Sequence, residues 1–173
     1  PGRVAGLSAS TGVDWRAMTT YFAVSHLADL SPLEVHQLYK LRVDVFVHEQ
    51  QCPYAEIDDT DAAPDTFHVL VWRNGDSPRR LVGTARLFPT LVDAAPAMQL
   101  GRVCLHPSAR GTGLSRELME QTLRLSEEQS PGTPIILDAQ VGLVDFYRSF
   151  GFEPTGEPFE EDGVPHQRMR RDA

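Results

Sequence analysis

The chain has 173 residues, and its 16 lysines and arginines against 24 aspartates and glutamates give a formal net charge of −8 at pH 7. This length fits one domain, and 41% hydrophobic with 23% charged residues is a globular rather than a disordered composition. The acidic balance argues against a nucleic-acid partner, and the longest apolar runs, 21–24 and 69–72, are too short for a membrane-spanning helix or a signal-peptide core.

The first residues carry no pattern of a folded element. Residues 1–17 lack periodicity and precede Met18, so we expect a disordered extension or a vector-derived segment there. The remaining residues, 18–173, are then expected to form a single domain.

A short strand and a capped helix follow. Residues 21–25 are apolar and predict a strand. Ser31, Pro32 and Glu34 have the spacing of a capping box with proline in the first turn. The apolar residues behind them predict a helix that continues towards Gln50.

An acidic loop separates this helix from the remaining elements. Residues 56–65 carry five carboxylates, which indicates a solvated surface or, alternatively, a surface that attracts a cationic acceptor. Apolar runs bounded by turn residues then predict strands at 66–73, 80–88 and 98–105, a helix at 111–129, a strand at 134–139, a helix at 141–150, and paired strands at 152–159 and 164–170.

The predicted order is β-α-βββ-α-β-α-ββ. Strands that first form a meander and then alternate with helices indicate an α/β fold with a mixed sheet covered on both faces. An all-parallel Rossmann sheet would need alternation throughout the chain.

The most informative segment is GRVCLHPSARGTGLSR at residues 101–116. A strand runs through a proline and a glycine-rich turn directly into an amphipathic helix. Such glycines let backbone N–H groups converge, and the helix N-terminus adds partial positive charge, which favours a pyrophosphate. Arg110 and Arg116 flank this turn. No P-loop pattern is present, and Gly111 and Gly113 lack the third glycine of a dinucleotide-binding motif.

The turn, RGTGLS at residues 110–115, resembles the R/Q-x-x-G-x-G/A acetyl-CoA loop of the GNAT superfamily of N-acetyltransferases, with serine at position 115 where glycine or alanine is usual. Further blocks are similar to its ElaA-like branch: LRVDVFVHEQ at 41–50, CPY at 52–54, GRV at 101–103, AQ at 139–140, FYRSFGF at 146–152 and EDGVPH at 161–166.

The resemblance implies an acyl-CoA N-acyltransferase fold whose sheet is splayed between the fourth and fifth strands, with acetyl-CoA in the gap. It implies that pantetheine pairs with the strand backbone and that the pyrophosphate rests on the turn, so the expected cofactor-binding residues are Val103, Cys104, Leu105, Arg110, Gly111, Thr112, Gly113, Leu114, Ser115 and Arg116. Because side chains alternate along a strand, Cys104 should face away from its two neighbours, which favours a packed thiol over a covalent acetyl-cysteine.

Tyr147 matches the position of the family's general acid. A phenol pKa of about 10 against about 8.5 for a thiol makes full proton transfer to sulfur uphill by roughly 2 kcal/mol, so hydrogen-bond donation is the expected role. The alternative is an aromatic side chain that only packs beside Phe146 and Phe150.

A general base must take the proton of an ammonium acceptor. Glu49 is the first candidate, directly or through water, and His68 and Glu56 follow; a cap or salt-bridge role for Glu49 and a purely water-mediated route are alternatives. His68, Glu161 and His166 are also candidate acceptor contacts, the last two because this block closes over the acceptor side in the ElaA-like branch.

The cysteines and histidines predict no metal site. Cys52 and Cys104 lie far apart without CxxC or zinc-finger spacing, and His106 and His166 each lack a second ligand at a coordinating distance along the chain. We therefore expect a reducing, cytoplasmic setting.

Two function hypotheses result. The first is an acetyl-CoA-dependent N-acetyltransferase that acts on a primary amine of a small-molecule or peptidyl acceptor by direct attack in a ternary complex. The second is a catalytically weak CoA-binding module that serves as a sensor or interaction domain. A longer acyl group is an open variant of the first, and since related proteins are often dimers, a homodimer is one expected form.

Overall fold

The computed structural model of the protein describes residues 19–52, 54–75 and 79–173, so the extension predicted at residues 1–17 lies outside the described residues. The single domain over residues 18–173 stays a prediction. None of the helices in these ranges has the length and apolar character required to cross a bilayer.

Helix α1 (Pro32–Arg42) begins as the sequence predicts. The Ser31 hydroxyl accepts a hydrogen bond from the Glu34 N–H at 3.3 Å, and Glu34 Oε2 accepts one from the Ser31 N–H at 2.9 Å. After Arg42 the chain does not continue as an α-helix but widens into a π-helical segment over Val43–Glu49. Such segments are frequent at functional sites.

In the part of the chain that the structure describes, one mixed sheet contains eight strands in the order β1-β2-β3-β4-β5-β8-β6, with β7 paired to β8. The first four strands form the predicted antiparallel meander: β1 (Thr20–Ser25), β2 (Phe67–Arg73), β3 (Arg80–Val92) and β4 (Ala95–Leu105). Strand β5 (Ile135–Gln140) then runs parallel to β4 and antiparallel to β8. The predicted α/β class with a mixed sheet is confirmed.

The second half supplies two helices and three strands: α2 (Leu114–Gln129), α3 (Val144–Arg148), β6 (Glu153–Pro154), β7 (Phe159–Glu161) and β8 (Val164–Arg171). The strand predicted at 152–159 is therefore divided into β6 and β7. The break falls at Gly156, whose φ of +70° is left-handed backbone.

Strands β3 and β4 are longer than predicted because a tight turn replaces the expected loop. Asp93 and Ala94 have φ values of +51° and +63°, as a two-residue hairpin turn requires. Pro89 and Pro96 lie between the predicted strands at 80–88 and 98–105, and prolines there favour a loop by sequence alone. The β2 pairing stops at Leu87, so one edge of the β3 extension has no ladder partner, and proline is tolerated there.

The core occupies both faces of the sheet. The smaller cluster joins α1 and the π-helical segment to the sheet through Leu38, Leu41, Val45, Leu70, Trp72, Leu81 and Cys104. The larger cluster, on the α2 and α3 side, includes Val69, Leu87, Leu100, Leu118, Met119, Leu137, Phe152 and Met169. The two clusters pack against opposite faces of the sheet and support β4 and β5.

Candidate active site

A cleft opens where β4 and β5 part. Their parallel pairing comprises Met98↔Ile135 and Gln99↔Ile136, at the start of β5. Beyond this point β5 pairs only on its other side, with β8. The separated strands line a cavity of about 1050 Å³. The splay predicted between the fourth and fifth strands is therefore present.

A β-bulge distorts β4 along this cleft. The β3–β4 register passes from Thr84↔Cys104 to Arg86↔Gly101, which leaves Arg102 and Val103 opposite one β3 residue. Val103 packs on the α2 side, whereas Cys104 is buried on the α1 side, as strand alternation predicts. Burial raises the pKa of the Cys104 thiol to about 12, so the thiol stays protonated and packed.

The end of β4 is packed closely against β3 at Gly83. A Cβ at this position would lie 2.6 Å from Leu105 Cδ2 and 3.0 Å from Val71 Cγ2. Only glycine fits without a shift of its neighbours at the Gly83↔Leu105 pair, which ends the β3–β4 ladder.

The turn between β4 and α2 has the geometry of an anion site. Gly111 and Gly113 have φ values of +73° and +83°, and a Cβ at either position would meet no atom within 4 Å. The Thr112 hydroxyl donates to the Ala109 carbonyl at 2.8 Å, which holds the turn. Gly113 caps the first turn of α2, whose leading N–H groups have no intrahelical acceptor. These residues fit a diphosphate group.

The two arginines that flank the turn make different contacts. Arg116 places its guanidinium 4.9 Å from the centre of the Phe150 ring. Arg110 turns into the cleft, where Nη1 and Nη2 donate to the Glu49 carboxylate oxygens at 2.7 and 2.9 Å and Nε donates to the Leu105 carbonyl at 3.1 Å. Glu49, the candidate general base, and Arg110, an expected cofactor-binding residue, thus form an ion pair with each other.

This ion pair sets the charge of Glu49. The hydrogen bond and the positive charge of Arg110 lower the pKa of the Glu49 carboxyl. Glu49 is therefore a carboxylate at neutral pH with a reduced affinity for a proton. Both side chains line the cleft.

Tyr147 lines the cleft from the side of β5. It lies in α3, and its ring packs edge-on against Phe146 and Phe152, with centroids 5.2 and 6.1 Å away. Burial, with a smaller contribution from Cys104, raises the pKa of the Tyr147 hydroxyl to about 12. The hydroxyl stays protonated near neutral pH, so it can donate a hydrogen bond into the cleft.

The β7–β8 hairpin forms a further wall, which carries two of the predicted acceptor contacts. Glu161 and His166 both line the cleft. The His166 ring stacks on Phe159 with centroids 5.9 Å apart, and its Nδ1 lies 2.8 Å from the Val164 carbonyl, which makes Nδ1 the donor and leaves Nε2 free to accept.

Two contacts join the opposite walls of the cleft. The Gln140 side-chain amide, at the end of β5, donates to Gln50 Oε1 at 2.9 Å. The Cys52 thiol lies 3.6 Å from the Asp162 carbonyl of the β7–β8 turn. The segment after the π-helical region therefore reaches across to both β5 and the hairpin.

A six-charge network adjoins the cleft; its buried members are Arg42, Glu56, Asp61 and Arg86, and its partly exposed members are Asp58 and Arg102. Arg42, fully buried, donates from Nε to Glu56 at 2.7 Å and from Nη1 to Asp61 at 2.5 Å. Arg86 Nη1 donates to Asp58 at 2.7 Å and to Asp61 at 2.8 Å. Three cations and three anions balance in a largely desolvated site.

The network changes the interpretation of the acidic loop. Three of its carboxylates bind arginines, so neither a purely solvated loop nor a free anionic surface describes residues 56–65. Glu56, a candidate base, is buried and held by arginines on two sides. His68, the other candidate, is only 1% exposed and does not line the cleft; its Nε2 lies 2.9 Å from the Asp61 carbonyl, and burial lowers its pKa.

Sequence reasoning missed three residues that line the cleft beside this network: Tyr54, Asp58 and Arg102. A signal was present, because Arg42 and Arg86 interrupt apolar patterns in α1 and β3 while an acidic loop lies between them in sequence. Buried arginines need carboxylate partners.

Comparison with known proteins agrees with this geometry. The family model described as an acetyltransferase (GNAT) domain matches residues 27–173. The protein ElaA of Escherichia coli K12 is 40% identical over 147 residues, covering 85% of this chain and 93% of ElaA. The crystal structure of E. coli ElaA superposes with a TM-score of 0.79 at 38% identity, covering 88% of this chain and 99% of that one. An acyl-CoA N-acyltransferase from Pseudomonas aeruginosa gives a TM-score of 0.80 with the same identity and coverage.

Proposed function

The chain belongs to the GNAT family of acyltransferases, and from that membership we propose that it transfers an acetyl group from acetyl-CoA to a primary amine of a small-molecule or peptidyl acceptor. The observation that carries the proposal is the parting of β4 and β5 with a left-handed glycine turn before α2 at one end and Tyr147 lining the gap. A cytoplasmic location and a homodimer stay predictions.

Binding of the donor would use main-chain groups. The N–H groups that begin α2 and the glycines before it would hold the diphosphate, and the backbone of Val103 and Leu105 would pair with the pantetheine arm. Acetyl-CoA supplies an activated thioester carbonyl. A main-chain N–H freed near Leu105 by the splay would donate to the carbonyl oxygen as negative charge develops there.

Tyr147 would stabilise the departing sulfur. With its pKa raised to about 12, the phenol is a much weaker acid than a thiol of pKa about 8.5, so it acts by hydrogen-bond donation rather than by early proton transfer.

Glu49 would orient a water molecule through which the acceptor's proton passes to solvent. Its lowered pKa makes it a weak base, so its carboxylate orients a water or an ammonium group more than it removes a proton. Glu161 and His166, on the hairpin wall, are the proposed acceptor contacts. His68 is not retained as an acceptor contact because it is buried outside the cleft lining.

A second candidate function is CoA binding without efficient catalysis. Two observations favour it: Ser115 replaces the usual glycine or alanine, and Glu49 is bound by Arg110. Released CoA thiol, measured with and without a panel of primary amines, distinguishes the two. Amine-dependent release supports the enzyme, and saturable CoA binding without it supports the binding module.

The turn itself is tested by calorimetric titration with CoA. Gly113→Val places a branched side chain at a left-handed position and should abolish measurable CoA binding. Gly132→Val, at a left-handed glycine after α2 that lies outside the cleft lining and whose added Cβ meets no atom within 4 Å, is the matched control. Equal CoA affinity in the two variants would refute the assignment of the turn.

A further inference from the structure

Arg102 holds a backbone conformation that glycine would adopt more readily. It lies in the β4 bulge with φ of +53°, whereas the preceding Gly101 is not in the left-handed region. A residue with a Cβ carries a free-energy cost there that glycine avoids. The arginine side chain should therefore make contacts that offset this cost.

Those contacts lie on the loop across the cleft. Arg102 Nε is 2.9 Å from Glu56 Oε2, at an angle that makes it an ion pair rather than an aligned hydrogen bond. Its Nη2 lies 3.4 Å from the Glu56 carbonyl and 3.6 Å from Asp58 Oδ2. The guanidinium also lies 5.8 Å from the centre of the Tyr54 ring.

The loop end of this contact is anchored to the core. Glu56 Oε1 accepts a hydrogen bond from the fully buried Arg42, and Glu56 Oε2 accepts one from the Tyr54 hydroxyl at 2.5 Å. Tyr54 and Asp58 line the cleft. Residues 54–61, which we term the acceptor wall, are thus fixed to α1 through Arg42, to β3 through Arg86 and to the β4 bulge through Arg102.

We propose that Arg102 is a positioning residue that ties the acceptor wall to the bulge of β4 and so sets the acceptor side of the cleft. The proposal rests on the proposed function for its kinetic consequence, because the donor strand and the acceptor wall meet at this side chain. Loss of the side chain should loosen the end of the wall at Tyr54 and Glu56, where Arg102 makes its closest contact, while Arg86 still holds Asp58 and Asp61 and the donor strand keeps its place.

The test compares Arg102→Gly with Arg102→Ala. Glycine keeps the left-handed bulge and removes only the side-chain contacts; alanine removes the same contacts and leaves the backbone strained. Hydrogen exchange of peptides covering the acceptor wall should accelerate about tenfold in both variants, as expected for loss of contacts to charged groups. Peptides of β4 should stay protected in Arg102→Gly, and only Arg102→Ala should show the additional loss of melting temperature.

Kinetics separate positioning from general stability. With n-butylamine as the probe acceptor, KM should rise about tenfold in both variants while kcat and the Kd of CoA stay within about twofold. Arg124→Gln, an exposed arginine of α2, controls for the lost positive charge and should change none of these values.

Three results would overturn the proposal: unchanged exchange in the acceptor wall, a KM increase in Arg102→Ala that is absent in Arg102→Gly, or a lower melting temperature as the sole effect. Failure of the wild-type chain to acetylate any amine would refute the proposed function instead. The exchange data would then still decide whether Arg102 holds the wall.

Discussion

Replacing Tyr147 with phenylalanine removes one oxygen from the cleft and leaves the ring contacts with Phe146 and Phe152 in place. With the hydroxyl pKa at about 12 and a thiol near 8.5, proton transfer to the sulfur would be uphill by about 5 kcal/mol, so the hydroxyl should act as a hydrogen-bond donor. A hydrogen bond to a charged group contributes about 1.5–3 kcal/mol, which predicts a fall in kcat of about 10- to 150-fold.

The assay follows CoA thiol released from acetyl-CoA with n-butylamine, and calorimetry gives the Kd of CoA. That Kd should stay within about twofold, because the lost interaction forms only as charge develops on the sulfur. Because the raised pKa keeps the hydroxyl protonated, kcat should show no alkaline decline caused by Tyr147 below about pH 10. Tyr39→Phe, half-buried on α1 and outside the cleft lining, is the control. A kcat equal to that of the unmodified protein would remove Tyr147 from the mechanism.

Three further perturbations test the packing and charges around the cleft. Gly83→Ala should lower the free energy of unfolding by about 1–3 kcal/mol in urea titrations, since its Cβ would lie 2.6 Å from a neighbouring side chain. Gly101→Ala, whose Cβ would meet no atom within 4 Å, is the control and should have little effect. Equal losses of unfolding free energy in the two variants would contradict the close approach at Gly83. Arg42→Met removes one of the two guanidiniums that Glu56 and Asp61 each contact, and it should cost about 3–5 kcal/mol in the same experiment. A loss below about 1 kcal/mol would mean that the network relaxes. Arg110→Gln should raise the pKa of Glu49 towards its ordinary value, measured by NMR titration of labelled glutamate, and an unchanged Glu49 pKa would refute the ion pair. The lowered pKa of Glu49 stabilises the folded protein at pH values above the ordinary glutamate pKa, and this stabilisation is lost as the pH falls through the lowered pKa. The stability of the variant should therefore be less sensitive to acid.

Local sequence signals predicted the parts of the structure that depend on neighbouring residues. The capping box at Ser31 and Glu34 depends on residues three apart, and the left-handed glycines 111 and 113 depend on their own backbone. The order of helices and strands along the chain followed from the alternation of apolar runs and turns, and the resemblance supplied the splay and the placement of Tyr147.

Contacts between distant segments were not predictable in this way. The six-charge network joins α1, the acidic loop, β3 and β4, so no window of sequence contains it. The pairing of Glu49 with Arg110 spans 61 positions, and it changes a candidate base into a carboxylate of lowered pKa. Burial likewise decides against His68 as an acceptor contact, because β2 directs it beneath the acidic loop.

The parity of the buried charges limits how this protein can evolve or be redesigned. Within the network, the buried Arg42 and Arg86 are matched by the buried Glu56 and Asp61, so mutating one of these four residues leaves an odd charge in a medium of low dielectric. A change of substrate range that alters this loop should therefore be tolerated when one cationic and one anionic residue are replaced together. Libraries that diversify these positions singly would lose most of their members to misfolding, whereas libraries built from neutral pairs would retain them.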